Sequence, residues 1–220
     1  MTLDLPAELA ATRLLAVIRG TDTAAAIAAG TALLSEGVSV VEVALTTPGA
    51  LTAIEALRQA APEGCLVGAG TVLTTADVAD VAAAGAQFVV TPAVVDSIGE
   101  AARRGLPVAA GALTPTEAYT AVRLGAGVVK LFPAAVGGPA YLKAIRDPFP
   151  DLPLVAVGGV GLAEVPAYLA AGAIAVGVGG PLVGDAASGG DLDALRARAR
   201  QYRAVTDGVG AAPGTNGGRS

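Results

Sequence analysis

Lys130 stands in "VVKLFPA" (residues 128–134), a charge inside an apolar run that otherwise reads as a buried strand. The chain has 14 Lys and Arg residues, and only Lys130 and Lys143 are lysines. Glu42 interrupts "SVVEVAL" (39–45) in the same way. Side chains alternate along a strand, so Lys130 shares a face with Val128 and Phe132, while Val129 and Leu131 point the other way. By the same alternation Val40, Glu42 and Ala44 face one side and Val41, Val43 and Leu45 the other. Burying an unpaired charge costs several kcal/mol, and a core selected for stability alone would use Leu or Ile at both places. Apolar neighbours disfavour the ammonium of Lys130 and raise the fraction of free amine, which attacks carbonyls. The protonated imine so formed is an electron sink, and breaking an adjacent carbon–carbon bond then leaves an enamine instead of a carbanion. Arginine has no accessible neutral amine for this chemistry. An imine cycle also needs a proton shuttle, and with no histidine in the chain a buried carboxylate such as Glu42 is the natural candidate. The alternative is a Lys130–Glu42 pair with no chemistry. Lys143, in "GPAYLKAIRD", reads as a solvated helix residue.

Glycines and hydroxyls surround these charges in the sequence. "AVGGV" (156–160) and "GVGG" (177–180) close two apolar runs. Glycine lets backbone N–H groups approach an anion, and the positive end of a following helix adds to the attraction. Two such pairs point to a phosphate, held mostly by backbone because neither loop carries Lys or Arg; tight turning alone is the alternative. "GAGT" (68–71) offers the hydroxyl of Thr71, and "TP" (91–92) ends another run, though either is compatible with simple strand termination. Arg19, in "VIRG", is placed to reach a carboxylate, a phosphate or a helix carboxylate.

These groups need a scaffold that brings distant runs to one place. Eight short apolar runs recur, at 14–20, 39–45, 66–72, 88–92, 107–112, 128–133, 154–159 and 173–180, roughly 20 to 26 residues apart. Between them lie Ala- and Leu-rich stretches with helix-entry chemistry, such as Thr21 and Asp22 before 23–36, or Thr114, Pro115 and Glu117 in "TPTEAYTAVRLGAG". Strands buried on both faces and alternating with helices predict an α/β fold, a single closed (β/α)8 TIM barrel, in preference to an open doubly wound sheet. The sixth and second strands then lie opposite each other, with Lys130 and Glu42 facing one interior near the C-terminal ends of the strands, where active sites of this fold gather. Residues 4–12 read as an extra short helix plugging the barrel floor. The barrel domain is expected over 1–207, and the tail "GVGAAPGTNGGRS" (208–220) as disordered.

Composition excludes several classes. Apolar residues make up 53% of the 220 and charged residues 15%, but no apolar run approaches the roughly 18 residues of a membrane helix. The start "MTLDLPAELAATRLL" has no basic segment and carries Asp4 and Glu8, which argues against export and for a cytoplasmic protein. Cys65 is the only cysteine, so no intrachain disulfide forms. The absence of histidine removes the commonest metal ligand, and no metal or other cofactor is expected. A net charge of −5 with scattered basic residues and few aromatics gives neither a basic stripe nor a stacking platform for nucleic acid.

Over residues 10 to 205, through "EVALTTPGAL", "VGAGTVLT", "FVVTPAV", "GALTPTEAYTAVRLGAGVVKLFPA", "GPAYLKAIRDPFP" and "AVGGV", the chain resembles the class I aldolases that act on 2-keto-3-deoxy-6-phosphogluconate and 4-hydroxy-2-oxoglutarate. The resemblance implies that Lys130 is the Schiff-base lysine and Glu42 the proton acceptor and donor. It implies further that Thr71, Pro92 and Phe132 line a pyruvyl pocket and that Gly158, Gly159, Gly179 and Gly180 hold the phosphate. Family members are usually homotrimers. The sequence departs from the family in three places. Thr46 stands where many members carry an arginine for the pyruvyl carboxylate, leaving that group to hydroxyls, backbone or Arg19. Val157 replaces a hydroxyl residue, and Gly180 replaces a serine of the phosphate loop. "AVGG" is similar to the branch acting on the galactonate epimer, whereas "TTP" and "KLFP" resemble gluconate-type enzymes, so both epimers stay open. Two further readings are a barrel holding pyridoxal phosphate on Lys130 and a non-catalytic barrel that binds a phosphorylated ligand.

Overall fold

The structure is a computed structural model describing residues 3–208. It opens with α1 (Leu5–Thr12), then β1 (Leu14–Ile18), α2 (Thr23–Ser35), β2 (Val40–Ala44), α3 (Ala50–Ala60) and β3 (Leu66–Gly70). The chain continues through α4 (Thr75–Ala83), β4 (Val89–Val90), α5 (Ser97–Arg103), β5 (Val108–Ala112), α6 (Pro115–Arg123) and β6 (Val128–Leu131). It ends with α7 (Gly138–Arg146), β7 (Leu154–Val157), α8 (Val165–Ala170), β8 (Ala175–Val178), the short α9 (Gly180–Val183) and α10 (Leu192–Gly208).

Helix starts follow the entry signals in the sequence. The Asp22 side chain accepts from Ala25 N at the head of α2. Capping boxes of Thr74 with Asp77 and of Thr114 with Glu117 open α4 and α6. Each satisfies backbone donors that the first helical turn leaves free, and such a cap is worth about 1 kcal/mol.

The eight strands are parallel, and each pairs with its sequence neighbours. The ring closes where Leu14 of β1 pairs with Val176 of β8, which rules out the open doubly wound sheet. The strands are shorter than the apolar runs, so Arg19, Thr71, Pro92, Phe132, Gly158, Gly159 and Gly179 sit in the loops just past the strand ends, and Gly180 opens α9. Alternation sorts the apolar residues into two shells. Val41, Val43, Val129 and Leu131 pack outward against the helices, while Val40, Leu66, Phe88, Val128 and Val155 fill the lumen.

The helix anticipated at 4–12 is α1, capped by Asp4, whose side chain accepts from Ala7 N. Its Leu5 and Leu9 are fully buried within the lumen shell, each contributing about 1.5–3 kcal/mol of apolar burial, and they close the barrel floor. Lys143 is exposed on α7. At the other end α10 runs through Gly208, one residue into the stretch expected to be a tail; the remainder of that expectation, 209–220, lies outside the described residues. Among the described residues no helix is long and apolar enough to cross a membrane.

Candidate active site

Lys130 lies on β6 opposite Gly111 of β5 and Val155 of β7. It is 8% exposed, and its Nζ lies 5.1 Å from the centroid of the Phe132 ring. Glu42 lies on β2 between Val17 of β1 and Gly68 of β3 and is 1% exposed. Both residues enter the lumen on the face that strand alternation assigns them.

They are not paired. Among the described residues no ion pair within 4.0 Å joins Lys130 to Glu42, and Glu42 Oε2 is buried with no hydrogen-bond partner. An orphaned buried carboxylate oxygen is destabilising, which a residue kept only for stability would not tolerate. Burial pushes the Glu42 carboxyl up from its ordinary value, against the pull of the Lys130 and Arg19 charges. A carboxyl poised upward is fit both to take and to return a proton.

Room for that carboxylate comes from β3. Gly70 faces the lumen beside Glu42, and a Cβ there would stand 2.8 Å from Oε1. Gly111 plays a corresponding part beside Lys130, because a Cβ there would collide with the Pro92 backbone. The backbone after β4 therefore lies directly against Gly111, the strand partner of Lys130. Thr91 helps to hold it there: its hydroxyl donates to Ala93 O at 2.7 Å and accepts from Gly111 N at 3.2 Å.

Arg19, whose target the sequence left open among three, reaches neither a helix carboxylate nor any other acid among the described residues. Its guanidinium donates to Thr46 Oγ1 at 2.9 Å and to Thr71 Oγ1 at 3.2 Å. Three candidate residues from loops after β1, β2 and β3 thus form one cluster at the mouth. Thr71 holds its place with φ +60°, a left-handed backbone that a β-branched residue adopts only at a cost of about 1–3 kcal/mol. The Arg19 loop is fastened from both sides, since Gly20 N donates to Thr47 Oγ1 and Thr21 N to Ser188 Oγ.

On the far side of the mouth Phe132 packs beneath Gly158. A Cβ on Gly158 would meet the ring at 2.9 Å, and one on Gly159 would meet Ala135 Cβ at 2.5 Å. Both glycines have positive φ, +91° and +74°, so turning and close approach each require glycine here. Gly179 and Gly180 are freer, and nothing lies within 4 Å of a Cβ at Gly180. Gly159 and Gly180 are exposed. Among the described residues no acceptor is seen for the N–H groups of Gly158, Gly159, Gly179 and Gly180, which leaves four donors beside the lumen.

The sequence reading did not single out Gly70, Gly111, Thr47 or Ser188. Strand alternation puts Gly70 and Gly111 on the lumen face and was a usable signal. Thr47 and Ser188 give none, because their bonds join residues far apart in the chain.

The model of a protein family described as KDPG and KHG aldolase matches residues 5–197. A probable 2-dehydro-3-deoxy-6-phosphogalactonate aldolase of Rhizobium meliloti (strain 1021) is 39% identical over 198 residues, 89% of this chain and 92% of the relative. The KHG/KDPG aldolase of Escherichia coli (strain K12) is 38% identical over 173 residues, 77% of this chain and 81% of the relative. Among solved structures, the KDPG aldolase of Legionella pneumophila with pyruvate captured at low pH as a covalent carbinolamine superposes with a TM-score of 0.77 at 30% identity. That match covers 93% of this chain and 97% of the other.

Proposed function

Because the chain belongs to the KDPG and KHG aldolase family, and is thus a carbon–carbon lyase, we propose that it cleaves 2-dehydro-3-deoxy-6-phosphogluconate to pyruvate and glyceraldehyde 3-phosphate through an imine on Lys130. The observation that carries this reading is two buried charges, Lys130 and Glu42, facing one lumen without bonding to each other.

In this mechanism the Lys130 amine adds to the C2 carbonyl, and loss of water from the carbinolamine gives the protonated imine. Once the imine has formed, its positive charge lies close to the face of the Phe132 ring, which is near Nζ. The Glu42 carboxylate takes the C4 hydroxyl proton, the C3–C4 bond breaks, and its electron pair moves to C3 as the enamine forms. Glyceraldehyde 3-phosphate departs. Glu42 returns the proton to C3, and water adds to the imine to release pyruvate and the free amine.

Arg19, held by Thr46 and Thr71, binds the pyruvyl carboxylate, so the guanidinium from the loop after β1 does what an arginine at position 46 would do. Pro92 and Phe132 wall the pyruvyl group. The N–H groups of Gly158, Gly159, Gly179 and Gly180 receive the phosphate. Cleavage of 4-hydroxy-2-oxoglutarate to pyruvate and glyoxylate follows the same steps without the phosphate anchor. Family resemblance supports a homotrimer, and a single cysteine suits a reducing cytoplasm.

A second reading, the galactonate epimer with the same mechanism, is favoured by Val157, which presents an apolar side chain to the lumen beside the glycine pair. A coupled pyruvate-release assay with the two epimers separates these. Incubation with pyruvate and borohydride, followed by peptide mapping, tests the mechanism: the adduct is expected on Lys130, and a label elsewhere or none at all refutes it.

A further inference from the structure

We propose that Arg198, on α10 and outside the barrel mouth, is a positioning residue for the phosphate end of the substrate, acting through α9. The proposal rests on the assignment of Gly179 and Gly180 to the phosphate. Arg198 Nε donates to Leu182 O at 2.7 Å and an Nη donates to Val183 O at 2.9 Å. Among the described residues it has no carboxylate partner within 4.0 Å. Its charge is therefore committed to two carbonyls at the end of a four-residue helix. So short a helix has few bonds of its own: Leu182 N and Val183 N both donate to Gly179 O, and Gly184 N to Gly180 O.

That pattern ties Arg198 to the loop. In a trans peptide the C=O and N–H point in opposite directions. Gly179 O is turned into α9 by two donors, so the N–H of Gly180 is turned away from it. The Arg198 arm on Leu182 O holds the peptide unit that supplies Val183 N to Gly179 O, and the arm on Val183 O holds the unit that supplies Gly184 N to Gly180 O. Nothing lies within 4 Å of a Cβ at Gly180, and a Cβ at Gly179 would meet Val17 no closer than 3.6 Å, so the turn of the loop rests largely on these backbone bonds. The fork is planar and bidentate, and lysine reproduces only one arm of it. The loops carry no cationic side chain, so the phosphate grip depends on how well these N–H groups are aimed.

The test compares Arg198→Met and Arg198→Lys with the wild type in three measurements: KM and kcat with the phosphorylated substrate, inhibition by inorganic phosphate, and the pyruvate concentration that half-saturates borohydride trapping. Expected for Arg198→Met is about a 10-fold rise in KM and in the phosphate inhibition constant, with half-saturating pyruvate within twofold of wild type and Arg198→Lys in between. A KM for phosphorylated substrate within twofold of wild type overturns the proposal. So does an equal loss in pyruvate trapping, which marks a general structural role. If Arg198→Met does not fold, Arg198→Lys carries the same comparison. A wild type with no preference for phosphorylated over unphosphorylated substrate refutes the phosphate assignment and this proposal with it, whereas a missing Lys130 adduct refutes only the imine mechanism.

Discussion

Gly70→Ala tests whether Glu42 works because β3 leaves it room. The added methyl would stand 2.8 Å from Oε1 and 2.9 Å from the carboxyl carbon. Ordinary contact begins at 3.4 Å, so the carboxylate must recede by about 0.6 Å. Glu42 is 1% exposed and cannot swing into solvent, so overpacking is expected to cost about 1–3 kcal/mol of stability. A displacement of about 1 Å in a catalytic group costs roughly 100-fold, and about 0.6 Å scales to roughly 10- to 20-fold in kcat. Coupled pyruvate release measures kcat on protein shown to be folded by thermal melting. Borohydride trapping with saturating pyruvate should still reach one adduct per chain, because Lys130 is untouched. Gly68→Ala is the control: it lies on the same strand and face, but its methyl would meet the Phe88 ring at 2.5 Å, so it should lose stability and keep kcat. An undiminished kcat in Gly70→Ala, or an equal drop in Gly68→Ala, refutes the reasoning.

Other expectations follow from the same geometry. Glu42→Gln should lower kcat by about 10²- to 10⁴-fold, and the acid limb of the wild-type profile should lie above the ordinary value of 4.5, since burial raises this carboxyl. Its neutral form is favoured in the folded state, so its stability contribution is full below about 4.5 and is lost as pH rises through the raised value. Glu42→Gln should thus melt higher than wild type at pH 8 and converge with it in acid; a pH-independent difference contradicts this. Arg19→Met should raise half-saturating pyruvate in the trapping assay about 10- to 100-fold, through loss of a charged contact worth about 1.5–3 kcal/mol. Thr71→Gly should relieve the left-handed backbone and stabilise the fold by about 1 kcal/mol in a thermal melt, while weakening pyruvate binding as Arg19 loses a partner.

Local rules carried much of this structure. Alternation alone placed Lys130 and Glu42 in the lumen, and entry chemistry at Asp22 and at Thr114 with Glu117 located two helices. Eight evenly spaced apolar runs gave the barrel, but its closure depends on β1 meeting β8, a contact between residues more than 150 positions apart. The target of Arg19 was unreadable for the same reason, since Thr46 and Thr71 become its neighbours only when three strands align. Nor does sequence say that Lys130 and Glu42 fail to pair, because that depends on distance across the lumen. The left-handed backbone of Thr71 contradicts its residue type, and no propensity rule would find it.

The α1 plug has a kinetic corollary. With Leu5 and Leu9 packed beneath lumen side chains such as Val40, Leu66, Phe88, Val128 and Val155, the floor is closed and traffic runs through the mouth. On the proposed assignment, a substrate tethered at its pyruvyl end to Lys130 and reaching outward to Gly159 and Gly180 breaks so that the outer fragment lies nearest that mouth. The aldehyde phosphate then leaves first, while pyruvate is still bonded to Lys130, and in the synthetic direction pyruvate loads first; the closed floor offers neither fragment another way out.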